Sequence, residues 1–287
     1  MTALSICLAL LAALGNAGAS VLQRRGAATE REGRHRGSWL AGLVHRSVWL
    51  WGAALLAVSG VLQALALATG PLAIVQPVMS TELMFTLMVG GLVFRRRPDA
   101  RTKWAFAAMA VGLAVFLALA DPGGGRATVP DDDWWWAGVA AGAFMAVAVV
   151  VAFQLPSAPR AAVLGTATAT GFAVTAALLK DALGRLPDGI VAVFQGWQPY
   201  AAVAVGLGSF LLLQVTLRAG SLVASQPALT LGDALLSVVL GVALFEERVQ
   251  LGWRIGFEAL ALAVLLAGCV QLARSPLVTG GEDQETW

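Results

Sequence analysis

Two acids stand deep inside apolar sequence, and they are the residues with the most chemistry to offer. Glu82 lies in Ser80-Thr81-Glu82-Leu83-Met84-Phe85, and Asp233 in Leu231-Gly232-Asp233-Ala234-Leu235-Leu236. An acid at bilayer depth costs a few kcal/mol if it stays charged and alone. Such a group therefore faces a watery cavity, a cation, or a neighbour that lets it keep its proton. Upstream of each acid is a Gln-Pro pair, Gln76-Pro77 and Gln226-Pro227. A proline inside a helix removes one backbone hydrogen bond and frees a carbonyl, so each pair marks a hinge or a patch of polar backbone. Gln76 and Gln226 have amides that suit the freed groups or a solute. Gln63 and Gln214 add two amides at near-equivalent places, and Asn16 and Gln154 add polarity elsewhere. The bland role for these amides is interhelical hydrogen bonding. Glu258 lies nearer a helix end, where it can reach the interface.

The elements that position these residues are membrane helices. Of 287 residues, 58% are hydrophobic and only 13% charged. Mean hydropathy is +0.77. A soluble chain of this size could not bury that much apolar surface. Nine runs are long enough to cross a ~30 Å hydrocarbon core as helices. They are 3–22, 48–68, 72–94, 104–120, 134–153, 161–179, 200–217, 222–245 and 253–272. The runs are continuous rather than alternating, which excludes a β-barrel. The first run resembles a signal peptide near Ala17-Gly18-Ala19. However, no positive charge precedes it and Arg24-Arg25 follow it, so it reads as a retained helix.

Gly and Pro punctuate the runs at Thr69-Gly70-Pro71, Asp121-Pro122-Gly123-Gly124-Gly125 and Pro156-Ser157-Ala158-Pro159. Asp131-Asp132-Asp133 before Trp134-Trp135-Trp136 reads as an interfacial anchor. Lys180-Asp181 reads as the point where the sixth run leaves the membrane, and 188–198 as an interfacial or re-entrant piece. Gly138 and Gly142 form a GxxxG pattern that permits close helix approach and leaves a homodimer open.

Fourteen of the 19 Lys and Arg fall on one side of the alternating runs, with clusters at 24–46 and 95–103. The positive-inside rule then puts the N-terminus outside and the C-terminus in the cytoplasm of a multi-pass plasma-membrane protein. The Arg-rich 24–46 loop suits anionic lipid better than nucleic acid, so the expected partners are the bilayer and a small solute or cation.

Other chemistries lack their residues. No phosphate-binding glycine loop, metalloprotease motif or serine-nucleophile elbow is present, so the chain reads as neither an ATP-driven pump nor an enzyme, with no cofactor. Cys7 and Cys269 make no disulfide framework, and His35 and His45 read as solvated loop residues.

The chain also repeats. Gly70-Pro-Leu-Ala-Ile-Val-Gln76-Pro77 returns as Gly220-Ser-Leu-Val-Ala-Ser-Gln226-Pro227, 150 residues later. With one inserted residue, Glu82 meets Asp233, Gly90 meets Gly241, Phe94-Arg-Arg-Arg meets Phe245-Glu-Glu-Arg, and Phe106 meets Phe257. The third and eighth runs are an odd number of crossings apart, so the copies run in opposite directions. Inverted repeats place a binding site near the midplane of secondary transporters. The expected architecture is all-α: a first repeat of four helices (1–120), an extracytoplasmic loop (121–133), a second repeat of five (134–273) and a cytoplasmic tail (274–287). Runs two to four pair with seven to nine, the first pairs with the fifth, and the sixth is left over.

The Gln-Pro entries to the third and eighth runs, with Leu244-Phe245-Glu246-Glu247-Arg248, resemble the drug/metabolite transporter superfamily, whose helices end in a Gly-Glu-Arg type motif. The likeness covers most of 48–120 and 134–273. It implies a secondary transporter working by alternating access, with Glu82, Asp233, Gln76, Gln226, Gln63 and Gln214 as solute- or ion-binding candidates and Pro77 and Pro227 as hinges. The nine-run count, outside N-terminus and Arg-rich first loop are similar to the NIPA-like magnesium transporters, which would make Mg²⁺ the substrate at Glu82 and Asp233. The sequence departs from the usual ten helices, and Phe94-Arg-Arg-Arg stands where the family often carries an acid. A non-transporting membrane scaffold or accessory subunit is the alternative from another class.

Overall fold

The computed structural model describes residues 2–31, 47–93, 99–119, 125–219, 222–247 and 254–273. Eleven α-helices and one 3₁₀ turn account for nearly all of them, and no strand occurs among the described residues. The helices are α1 (Thr2–Arg31), α2 (Ser47–Thr69), α3 (Leu72–Met79), α4 (Glu82–Val93), α5 (Ala100–Leu119) and α6 (Asp131–Ala152). They continue as α7 (Ser157–Gly184), α8 (Ile190–Gln195), α9 (Gln198–Ala219), α10 (Leu222–Phe245) and α11 (Arg254–Ala273). Among the described residues, eight spans are long and apolar enough to cross a membrane, with Leu72–Val93 counted as one of them. The ninth expected run, 253–272, is also helical as α11.

Local chemistry sets the helix starts. Pro71, Pro130 and Pro156 immediately precede α3, α6 and α7, where a missing N–H costs nothing. Three aspartates fill the first turn of α6 and face the positive end of its dipole. Asp99 caps α5, accepting bonds from the hydroxyl and the N–H of Thr102. These bonds, the hydroxyl's first, hold the Asp99 carboxyl below the usual carboxylate range.

Two departures from the sequence reading matter. The third run is a broken helix: α3 stops at Met79, Ser80 and Thr81 form a turn, and α4 begins at Glu82. The sixth run is longer than its apolar core, because α7 extends to Gly184. Lys180 and Asp181 therefore lie within the helix, and both are buried. The 188–198 segment is a 3₁₀ turn (Leu186–Asp188) followed by the short α8.

The core is centred on α3. All eight of its residues are buried, whereas α4, on the far side of the break, has none. α3 packs along α10 and also against α1, while α4 packs mainly against α1. Small residues allow the close crossings that membrane helices rely on. Gly15 of α1 rests on the Ser59 hydroxyl of α2, and Gly171 of α7 rests on the Ser209 hydroxyl of α9. Ser59 and Ser209 are both buried, and each donates to the carbonyl one turn back, Leu55 at 2.8 Å and Val205 at 2.7 Å. The α5–α11 crossing is tighter. A Cβ on Gly112 would lie 2.5 Å from Leu265 N and 2.9 Å from Ala261 O, and one on Gly268 would lie 2.8 Å from Met109 N and 3.0 Å from Ala105 O.

α6 and α9 lie at the periphery, with 11% and 17% of their spans buried. Gly138 and Gly142 of α6 have no atom near the place a Cβ would occupy. Their GxxxG pattern makes no helix contact within the described chain.

Candidate functional site

Pro77 lies inside α3 and supplies no N–H to the Ala73 carbonyl four residues back. Three residues past it the helix gives way, and the hydroxyls of the turn bond back to the end of α3: Ser80 Oγ donates to Pro77 O at 2.6 Å, and Thr81 Oγ1 donates to Val78 O at 2.7 Å. The Ser80 N–H still reaches Gln76 O at 3.1 Å, while the Thr81 N–H bonds only three residues back, to Val78 O. Glu82 then opens the first turn of α4, where the helix dipole favours a negative group. Its Oε2 accepts from Asn16 Nδ2 of α1 at 3.1 Å.

Asp233 is in a different situation. Its Oδ1 is buried and has no hydrogen-bond partner among the described residues, and the same holds for Ser237 Oγ one turn further along α10. The backbone beside it is crowded, because a Cβ on Gly232 would lie 2.8 Å from Ala169 Cβ of α7. The spacing from Asp233 to Ser237 is repeated from Glu82 to Thr86. Each acid thus has a hydroxyl four residues on, on the same helical face. The sequence reading paired the acids but missed these hydroxyls, which were visible as i, i+4 neighbours at both places.

The other candidates disperse. Gln76 and Pro77 are buried within α3. Gln63 is half-buried on α2, and Gln214 is on the exposed face of α9. Gln226 and Pro227 lie in the first turns of α10, which runs unbroken through Pro227 to Phe245. Pro77 therefore sits beside a break and Pro227 does not.

The most developed polar cluster was not foreseen as one. Glu247, just past α10, is buried, and its carboxylate accepts from the first two N–H groups of α3: Leu72 N to Oε1 at 2.7 Å and Ala73 N to Oε2 at 2.9 Å. These donors have no partner inside their own helix, and the dipole adds attraction. Lys180 Nζ of α7 lies 3.1 Å from Glu247 Oε1, donates to Gly70 O at 2.8 Å, and stands 5.1 Å from the centre of the Phe245 ring. Glu246, at φ +53°, turns the chain sharply at the end of α10 and aims Glu247 back at α3. Gly241 gives the carboxylate room, since a Cβ there would collide with it.

The 125–133 loop closes over this cluster. The Arg126 N–H donates to Phe245 O at 2.7 Å and its Nε to Leu244 O at 2.6 Å, satisfying the end of α10. Its guanidinium also pairs with Asp133 and lies 3.6 Å from Glu246 Oε1. The Asp181 carboxylate accepts from Trp134 Nε1 at 2.6 Å and from the Val129 N–H at 3.1 Å. Trp134 meets Trp197 edge to face, with ring centres 6.0 Å apart. The bundle is therefore sealed with charge-assisted bonds at the end where α10 stops and α3 starts.

Comparison with known proteins adds a relative of the whole length. The chain is 28% identical over 285 residues to an uncharacterized protein of Corynebacterium glutamicum, with 97% of each chain covered. No family model matches the chain, and no solved structure matches it.

Proposed function

We propose that this chain is a multi-pass membrane transporter that moves a small metabolite or cation by alternating access. The observation that carries the reading is the broken span Leu72–Val93. Its first half is wholly buried against α10, its second half is not, and Glu82 stands at the break. Discontinuous helices of this kind build the substrate sites of secondary transporters near the bilayer midplane. Asp233 on α10 supplies a second acid with an unpartnered oxygen.

The packing supports two inverted copies, with a changed pairing. α1 lies against α2 and the α3–α4 pair much as α7 lies against α9 and α10. The Gly15–Ser59 contact of one group corresponds to the Gly171–Ser209 contact of the other, with the serines 150 residues apart. At the α5–α11 crossing, Gly112 touches Ala261 and Leu265, while Gly268 touches Ala105 and Met109. Each residue has its counterpart 156 positions on, not 151 as in the match of Phe106 to Phe257, so the contact is exchanged with itself as a twofold axis requires. This pairs the first run with the sixth and leaves the fifth, α6, unpaired. The earlier pairing of first with fifth joined runs an even number of crossings apart, which cannot be inverted. Membership of the drug/metabolite transporter superfamily and an outside N-terminus belong to the same reading.

The test is solute flux in sealed proteoliposomes, with Mg²⁺, other cations and small metabolites offered in turn. Glu82→Gln with Asp233→Asn should reduce flux to about a tenth or less, since an intramembrane acid that binds a cation cannot be replaced by an amide. Unchanged flux in the double variant would refute the site. No flux of any solute from well-folded protein would favour a scaffold role. Rescue by Mg²⁺ alone would select the magnesium alternative.

A further inference from the structure

The transporter reading needs a barrier that opens, and the Glu247 cluster has the construction of one. Its parts come from three places in the chain: α7 gives Lys180, the segment after α10 gives Glu247, and the α2–α3 junction gives Gly70 O and the Leu72 and Ala73 N–H groups. These contacts join what the proposed repeats would move apart. The bundle is asymmetric about the Ser80–Thr81 turn. Toward Glu247, α3 is held against α10 and fully buried. Away from it, α4 has no buried residue and packs chiefly on α1. Thr81, at the turn at the other end of α3, is 1% exposed.

We propose that Glu247 is the latch of a gate at this end of the bundle, engaged in the present structure. In the latched state its carboxylate clamps the N-terminus of α3, and Lys180 pins the preceding carbonyl. Opening withdraws Glu247 from the Leu72 and Ala73 N–H groups and frees α3 to tilt about the Ser80–Thr81 turn. The 125–133 loop holds the latch in register, because Arg126 caps α10 one residue before Glu246. The break beside Pro77 is then the hinge, and the unbroken α10 is the fixed wall. This inference rests on the transporter reading for its purpose but is tested without any solute.

The experiment uses the full chain carrying Cys7→Ala and Cys269→Ala, in sealed membrane vesicles, with a membrane-impermeant maleimide. Ala127→Cys, on the exposed loop, identifies the side to which the reagent is added and serves as the positive control. Thr81→Cys should label slowly from that side. Adding Lys180→Met should raise its rate about tenfold, the result of a modest shift between two populated states. Glu247→Asp, which keeps the charge but is too short to reach both N–H groups, should do the same. Gly138→Ala, remote from the cluster, should leave the rate unchanged. Equal Thr81→Cys rates with and without these changes, in protein whose Ala127→Cys labels normally, would overturn the gate. Should Lys180→Met fail to fold, Glu247→Asp decides alone, because its ion pair persists. Faster labelling without solute flux would leave the gate standing and sink the transporter. Flux with unchanged labelling would do the reverse.

Discussion

Replacing Glu247 and Lys180 separately and together tests whether the buried cluster is organised as described. Glu247→Gln keeps the size of the side chain but removes its charge. Lys180, whose side chain is 11% exposed, then faces no anion and keeps only Gly70 O. The amide oxygen can serve one of the two α3 N–H groups, while the amide NH₂ is a donor facing a donor. Breaking a buried pair by removing one partner typically costs 3–5 kcal/mol, and an orphaned N–H costs 1–3. The cluster lies near a helix end, so the lower part of the range applies, and we expect about 3 kcal/mol for Glu247→Gln. Lys180→Met should cost about half as much, because Glu247 retains both N–H bonds and the α3 dipole. The double variant leaves neither member of the ion pair charged, so its cost should be close to that of Glu247→Gln alone and well below the sum. At roughly 2–4 °C per kcal/mol for a chain of this order of size, the Glu247→Gln melt should fall by about 6–12 °C. Thermal unfolding in detergent, followed by intrinsic tryptophan fluorescence, reads all three shifts. A Lys180→Met variant less stable than Glu247→Gln, or costs that simply add, would show that the α3 N-terminus is not the principal partner of Glu247.

The helix crossings offer a second test. Gly112→Ala or Gly268→Ala should destabilise by about 1–3 kcal/mol, because the added methyl meets backbone that cannot step aside. Gly138→Ala should be neutral or stabilising by up to about 1 kcal/mol, since its position is open and alanine favours helix. The same melts distinguish these outcomes. At Asp99 the prediction concerns pH. Its carboxyl titrates lower in the folded chain than in the unfolded one, so its capping contribution is present above the unfolded value and disappears as pH falls through the folded one. The melting gap between wild type and Asp99→Ala should therefore narrow from about pH 5 to about pH 3.

The membrane spans were legible because a crossing helix must be long and apolar, and eight of the expected runs meet that physical condition. The break in the third run was only half legible. Pro77 announced a weak place, but the helix parts three residues further on, at Ser80 and Thr81, whose hydroxyls bond back to Pro77 O and Val78 O. Pro227 sits in the same motif, and α10 passes through it unbroken. Three and four residues on from Pro227 stand Thr230 and Leu231, so one hydroxyl is present where the third run has two. Glu247 was read as part of a helix-ending motif and Lys180 as a boundary marker. Each is unremarkable in its own window, and their partnership spans 67 positions with an α3 terminus a further 108 away. Local pattern carries no record of such a contact. Gln214 matches Gln63 in the repeat, but it lies on the exposed face of α9 while Gln63 is half-buried on α2.

A gate must be tight when shut and still yield, and the composition of this one satisfies both demands. An apolar plug of equal area would gain free energy in proportion to the surface it hides and would resist opening by the same amount. A buried ion pair behaves differently, because the attraction between its members is offset by the water each gave up. Lys180 and Glu247 are nearly dry when joined, yet they sit at the end of the bundle, so both regain water once α3 tilts. The net difference between shut and open can then remain within the few kcal/mol that a solute's differential binding is able to supply. The specificity of the shut state survives, since only one geometry lets a single carboxylate satisfy two N–H groups and an ammonium together. A double replacement by Lys180→Leu and Glu247→Leu, which hides as much apolar surface but leaves the Leu72 and Ala73 N–H groups without their acceptor, should therefore unlatch the gate and speed Thr81→Cys labelling, whereas a seal that worked by apolar burial alone would stay shut.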